Sequence, residues 1–284
     1  MEFKRLTDDE IQQWEALADN EFGGYEDASL DDEARSILAE VCESVAICDN
    51  DDDLIHLNGR CGAEIQKWMG NPTFARFLVR AYEHFVASGS AGACCNLGAI
   101  YLSGVGVAEN AELARELYEM GAERGDSQSA VNLGYFYYYG RGPCDVDYVQ
   151  AFECYASAAF VDGNPEAYWK LGDLYAGGRG VRKSGRMAWL MYSKAYERGH
   201  GTVYAGRAAH HLADCLLNGV EGVVEPDPER ALALYTEAEI GYYQSIEIGL
   251  GYYKGCLEEA KAGQEKARAA LVELRTPKKW DDAQ

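Results

Sequence analysis

Leu171-Gly172-Asp173-Leu174-Tyr175-Ala176-Gly177-Gly178-Arg179-Gly180 decides the fold, because the same frame stands elsewhere in the chain. It occurs 38 residues earlier as Leu133-Gly134-Tyr135-Phe136-Tyr137-Tyr138-Tyr139-Gly140-Arg141-Gly142, and 36 before that as Leu97-Gly98-Ala99-Ile100-Tyr101-Leu102-Ser103-Gly104-Val105-Gly106. A weaker copy keeps Leu212, Ala213, Leu216 and Gly219, and a last one keeps Ile248, Gly249, Tyr252 and Gly255. A second half-motif follows in step: Ala114-x3-Tyr118-x2-Gly121, then Ala151, Tyr155 and Ala158, then Ala188, Tyr192 and Ala195, then Ala231, Tyr235 and Ala238. A glycine is expected to close each unit, at Gly125, Gly163, Gly199 and Gly241. One step upstream, Gly62, Gly70, Tyr82 and Gly89 make a degenerate copy.

Each half has helical spacing, with small or apolar residues at i, i+3, i+4 and i+7 lining one face. Leu-Gly-x-x-Tyr gives a first helix, A, a knob, a notch and an aromatic plug. Ala-x3-Tyr-x2-Ala gives a second helix, B, small residues that let two backbones come close. Gly-x-Gly between them ends helix A and turns the chain back. Period-2 patterning is absent, so strands are excluded. One helix pair cannot bury its stripe alone, whereas stacked pairs share a continuous core. The expected fold is therefore all-α, an α-solenoid of antiparallel helix pairs.

These residues carry a resemblance. Leu-Gly-x-x-Tyr-x-x-Gly-x-Gly, then Ala-x3-Tyr-x2-Ala and a closing glycine near every 36 residues, resembles the Sel-one-like repeat family, a relative of tetratricopeptide repeats. The resemblance implies a right-handed superhelix whose A helices line a concave groove. Repeats are expected over 55–275, with 55–90 degenerate, then 91–126, 127–164, 165–201, 202–242 and a terminal 243–275. Residues 1–54 are expected to be an acidic helical cap, its helices beginning near Asp8 and Leu30, and 276–284 a tail. Pro228 suits a first helical position, so the enlarged loop Gly219–Pro228 should lead directly into helix B.

Composition bounds the function. Among the 284 residues, Asp and Glu number 47 and Lys and Arg 26, a formal charge of −21. Residues 1–70 alone hold 19 acidic and 5 basic side chains. Such a chain is repelled by phosphate backbones, and no basic patch offsets this, so nucleic acid is not an expected partner. Phe85–Ala108 is uncharged and long enough to span a bilayer, but it holds five glycines and half of a soluble repeat, so no membrane span is expected. The start turns acidic where an export signal needs an apolar run, and nine cysteines show no fixed spacing. Reduced thiols in the cytoplasm are the expectation.

Catalytic and metal patterns fail one by one. Asp49-Asn50-Asp51-Asp52-Asp53 lacks the glycine and the twelfth-position glutamate of a calcium loop. His211 and Cys215 lie one turn apart with no second pair of metal ligands nearby in sequence. Some exported Sel-one-like proteins act on β-lactams, but Ser-x-x-Lys occurs nowhere here, and no paired cysteines recur per repeat. No enzyme, metal or cofactor is expected.

The resemblance instead implies a groove lined at positions two before, and two, five and six after, the repeat Leu. These include Tyr135, Tyr138, Tyr139, Trp169, Asp173, His210, Asp214 and, in the last copy, Tyr253. Aromatic rings supply contact area at low entropy cost, and the carboxylates favour basic residues. The expected function is a protein-interaction scaffold for a protein or peptide with basic residues. The alternative for each ring is packing on a neighbouring repeat, although Tyr138 and Tyr139 are adjacent and cannot both enter one core. A second functional reading is a regulatory subunit acting through its acidic N-terminal region.

Overall fold

The computed structural model of the chain describes residues 3–19, 32–47, 69–200, 205–247 and 250–275. The acidic stretch 49–53, Gly62, the pair Ile248-Gly249 and the tail 276–284 lie outside them. The described residues form twelve α-helices, a short 3-10 turn and no strand. The chain divides into two compact units, Met1–Val146 and Asp147–Gln284, and the division falls inside the second clear copy of the repeat.

The first unit contains α1 (Asp8–Asp19), α2 (Asp32–Ile47), α3 (Pro72–Ala87), α4 (Ala91–Ser103), α5 (Ala111–Glu123) and α6 (Ser127–Tyr139). Helices α3 and α5 are B-type, and α4 and α6 are A-type. Leu38, Val41 and Val45 of α2 share one core with Phe74, Leu78 and Phe85 of α3 and with Leu97 and Leu117. Each large apolar side chain buried there contributes about 1.5–3 kcal/mol. The N-terminal segment before α1 is fixed to α3 by polar contacts. The Leu6 amide donates to Nδ1 of buried His84 at 2.8 Å, and Arg80 donates to the Lys4 carbonyl at 2.9 Å. The uncharged stretch 85–108 is the end of one helix, a turn and another helix. No helix among the described residues is long and apolar enough to cross a membrane.

The second unit contains α7 (Tyr148–Val161), α8 (Pro165–Gly177), α9 (Gly185–Gly199), α10 (Ala205–Asn218), α11 (Pro228–Glu247), a 3-10 turn (Gly251–Tyr253) and α12 (Lys254–Arg275). Helices α8 and α10 are A-type, and α7, α9 and α11 are B-type. A side-chain oxygen at the N-cap starts most helices of both units by accepting an orphan amide: Asn71, Ser90, Asn110, Asp126, Asp147, Asn164 and Ser184.

The two glycines of Gly-x-Gly do different work. Gly178 caps α8 at φ +66°, a left-handed conformation that closes the helix. Gly180, at φ +68°, also lies against the start of α7, where an added Cβ would be 2.4 Å from the Tyr148 carbonyl oxygen. Only glycine meets both demands. The notch in helix A works as the pattern implies. A Cβ on Gly98 would be 2.8 Å from the ring of Tyr118, and one on Gly172 would be 2.3 Å from the ring of Tyr192.

Two features of the fourth and last copies differ from the sequence expectation. Gly241 does not close its helix, because α11 runs on to Glu247. Gly241 is instead a contact point, where a Cβ would come 3.0 Å from the Gly206 Cα on α10. A ring notch outside the sequence expectation stands at Gly263 of α12, where an added Cβ would be 2.4 Å from the Tyr235 ring. The enlarged loop closes on itself, with a bridge between Val220 and Val224, and enters α11 at Pro228 as the sequence implies.

Candidate protein-binding surface

Within each unit the A helices pack against the B helices that precede and follow them in the chain, and this sorts the candidate positions. The residue two before the repeat Leu faces the neighbouring helices. Cys95, Val131, Trp169 and His210 occupy that position, and all four are buried. Trp169 and His210 are therefore interior residues rather than parts of an open wall. The Trp169 ring stacks 6.1 Å from His211 of α10, with Lys170 Nζ 4.2 Å and Arg207 Cζ 5.1 Å from its centre. His210 donates to or accepts from the Tyr242 hydroxyl through Nδ1 at 3.0 Å.

Tyr253 is also interior. Tyr253 sits in the 3-10 turn that precedes α12, stacked 5.4 Å from Tyr242. Its neighbour Tyr252 is the exposed ring, at 71%.

The positions two, five and six after the repeat Leu do reach the surface. In α6, Tyr135 and Tyr138 are half-buried and Tyr139 is 50% exposed. Tyr135 and Tyr139 stack at 5.9 Å, Tyr138 meets Tyr139 edge-on at 4.8 Å, and the Arg141 guanidinium lies 5.2 Å over the Tyr139 ring. Asp173 is half-buried and Asp214 exposed.

The two carboxylates share a geometry that sequence reasoning missed. Each sits two residues after the repeat Leu, and each accepts from the tyrosine of its own B helix. Tyr192 donates to Asp173 Oδ1 at 2.9 Å, and Tyr235 donates to Asp214 Oδ1 at 2.5 Å. Burial, then the adjacent carboxylate, pushes both phenols well above their usual range, so both remain donors at neutral pH. A hydrogen bond to a charged acceptor contributes about 1.5–3 kcal/mol. The carboxylates are thus fixed, in register with the repeat. His211 Nε2 lies 3.5 Å from Asp173 Oδ1, and burial holds this imidazole down from its ordinary 6.5 to about 4.

Beside Asp214 lies a hollow of about 300 Å³ between α10 and α12, with Tyr235 and His210 at its base and Glu259, Ala262 and Lys266 on the opposite side. Leu217 and Asn218 also line it, so all four candidate positions of the fourth copy border this one hollow. Glu259 and Lys266 were not legible as site residues. The small residues Ala260, Gly263 and Ala267, buried along one face of α12, are the signal that could have shown that helix taking the place of a further helix A. Among the described residues no group of three His, Cys, Asp or Glu side chains could hold a metal ion.

Comparison with known proteins agrees with this architecture. The Sel1 repeat matches residues 91–126, 127–159, 165–200 and 206–239, and the chain belongs to the Sel1 repeat family. A Sel1 repeat protein from Oxalobacter formigenes has a similar structure, with a TM-score of 0.51 and 25% identity over 73% of this chain and 83% of that one. So does c5321, a protective antigen of uropathogenic Escherichia coli strains with an SLR fold, at a TM-score of 0.51 and 20% identity over 92% of this chain and 62% of that one. Two curated relatives are named exopolysaccharide production negative regulators. The one from Rhizobium meliloti (strain 1021) is 31% identical, and the one from Rhizobium leguminosarum bv. viciae is 28% identical, each over 134 residues and 43% of this chain. The chain spans about half the length of these relatives.

Proposed function

We propose that this protein is a non-catalytic scaffold that binds a protein or peptide bearing basic residues along the exposed positions of its A helices. The observation that carries this reading is the pair Tyr192–Asp173 and Tyr235–Asp214, which holds one carboxylate in each of two successive repeats in the same geometry. Carboxylates fixed in advance lose little freedom on binding and select cationic partners over anionic ones. The names of the curated relatives are in keeping with a regulator that acts by binding.

The acidic N-terminal region is less suited to be the interaction surface. Its helix α2 buries Ala34, Leu38, Val41 and Val45 in the core of the first unit, so removing residues 1–54 would uncover Phe74 and Phe85.

The test is a peptide array of 12-residue sequences differing in Lys and Arg content, read against the full chain and its Asp173→Asn/Asp214→Asn variant. Asparagine keeps an acceptor for each tyrosine and removes the charge. The expected result is about a tenfold loss of affinity for the basic peptides at low salt, with helicity unchanged. Equal binding by the variant overturns the proposal.

A further inference from the structure

The hollow between α10 and α12 has features that a general acidic surface does not need. Its base is aromatic: the rings of Tyr235 and His210 meet edge-on at 5.7 Å. Its sides carry Asp214 and Glu259, two negative charges, against the single positive charge of Lys266. His210 adds none at neutral pH, since burial lowers its affinity for protons below that of an ordinary imidazole. The hollow therefore carries a net charge of one negative unit. Asp214 offers this charge in a fixed position, because Tyr235 holds its Oδ1 while Oδ2 lies 4.0 Å from His210 Nε2, beyond hydrogen-bond reach.

We infer that this hollow is a pocket for one arginine side chain of the bound partner, with Asp214 and Glu259 receiving the guanidinium and Leu217 and Ala262 flanking its aliphatic stem. The inference rests on the scaffold reading and names the residue that the partner inserts. Arginine fits better than lysine. Its planar fork can reach two carboxylates at once, whereas an ammonium is a compact, strongly hydrated point charge. One guanidinium also brings the hollow to neutrality. Lys266 opposes a divalent cation, which would leave it positive, and the two carboxylates oppose a phosphate. A volume of about 300 Å³ holds one long side chain and leaves no room for a folded segment.

The probe is N-acetyl-arginine amide, titrated into the ¹⁵N-labelled full chain, with N-acetyl-citrulline amide and N-acetyl-lysine amide as controls. Citrulline keeps the shape of arginine and removes its charge. The amides of Asp214 and Gly263 are expected to shift saturably with arginine, at least fivefold more tightly than with either control. Glu259→Gln should weaken arginine binding about fivefold. Ala262→Phe, at an exposed position of α12, should fill the hollow and abolish binding while helicity is kept. No saturable shift with arginine, equal binding of citrulline or lysine, or arginine shifts that persist in Ala262→Phe would each overturn the assignment. The two proposals fail separately. If Ala262→Phe binds basic array peptides normally while Asp173→Asn/Asp214→Asn does not, the pocket is wrong and the scaffold reading stands. If the double carboxylate variant also binds normally, both fall.

Discussion

Gly172 on α8 lies directly beneath the ring of Tyr192 on α9, so close that a methyl group there would stand 2.3 Å from Cε1 and 2.5 Å from Cδ1. The ring is held from its other end by the bond of its hydroxyl to Asp173, so it cannot swing aside without losing that bond. Gly172→Ala should therefore destabilise the second unit even though alanine is the better helix former. Overpacking costs about 1–3 kcal/mol against a propensity gain of about 1 kcal/mol. A fall in the urea midpoint is the expected readout, partly restored by adding Tyr192→Leu to remove the ring.

Tyr192 also stacks on His211, with ring centres 4.6 Å apart and planes within 9°. Burial depresses the His211 imidazole to about 4 in the folded chain, while the unfolded chain keeps 6.5. Between these values the unfolded state binds the extra proton. Stability is thus fully present above pH 6.5 and is lost as pH falls towards 4, by about 2 kcal/mol at pH 5. His211→Phe keeps the stack and removes the titration. Its urea midpoint should fall less than that of the parent chain between pH 7 and pH 5.

The contact between His84 and Leu6 follows the same sign. His84 accepts the Leu6 amide only while Nδ1 is unprotonated, and burial lowers its pKa, with Arg5 and Arg80 acting in the same direction. Hydrogen exchange should find the Leu6 amide protected at pH 7 and fast in His84→Phe, which fills the space without an acceptor. Equal protection in the variant would show that this bond does not hold residues 3–7.

Buried thiols should resist reagents. Burial, then the Asp126 carboxylate, pushes Cys95 up to about 12, and Cys94 is fully enclosed. Iodoacetamide at pH 8 should label neither Cys94 nor Cys95 in the folded chain, and both once urea unfolds it. Peptide mass mapping reads the difference.

The spacing of Leu-Gly-x-x-Tyr and Ala-x3-Tyr-x2-Ala made the helix pairs and their turns legible, because a notch, a ring and a left-handed glycine leave a direct trace in residue type. Exposure along the A helices was less legible: Tyr139 and Asp214 are exposed and Asp173 half-buried, while Trp169 and His210 turn inward, because a single helix's periodicity cannot say which of its faces the neighbouring helices cover. The contact between the Tyr235 ring and Gly263 left no trace in the motif, because α12 keeps the small residue but not the flanking pattern. The tyrosine–aspartate pairs join residues 19 and 21 positions apart, a relationship set by how two helices pack and invisible along either one.

The loop after Gly219 has a practical consequence. Its extra residues close on themselves through the Val220–Val224 bridge, and the Asp227 amide returns to the Leu216 carbonyl at 2.7 Å, so the surplus at Glu221, Gly222 and Val223 stands out in solvent. Gly180, by contrast, is wedged against the chain at Tyr148 and has no slack at all. A tag or reporter grafted between Val220 and Val224 should be carried as ornament, whereas one grafted beside Gly180 should pry the array apart.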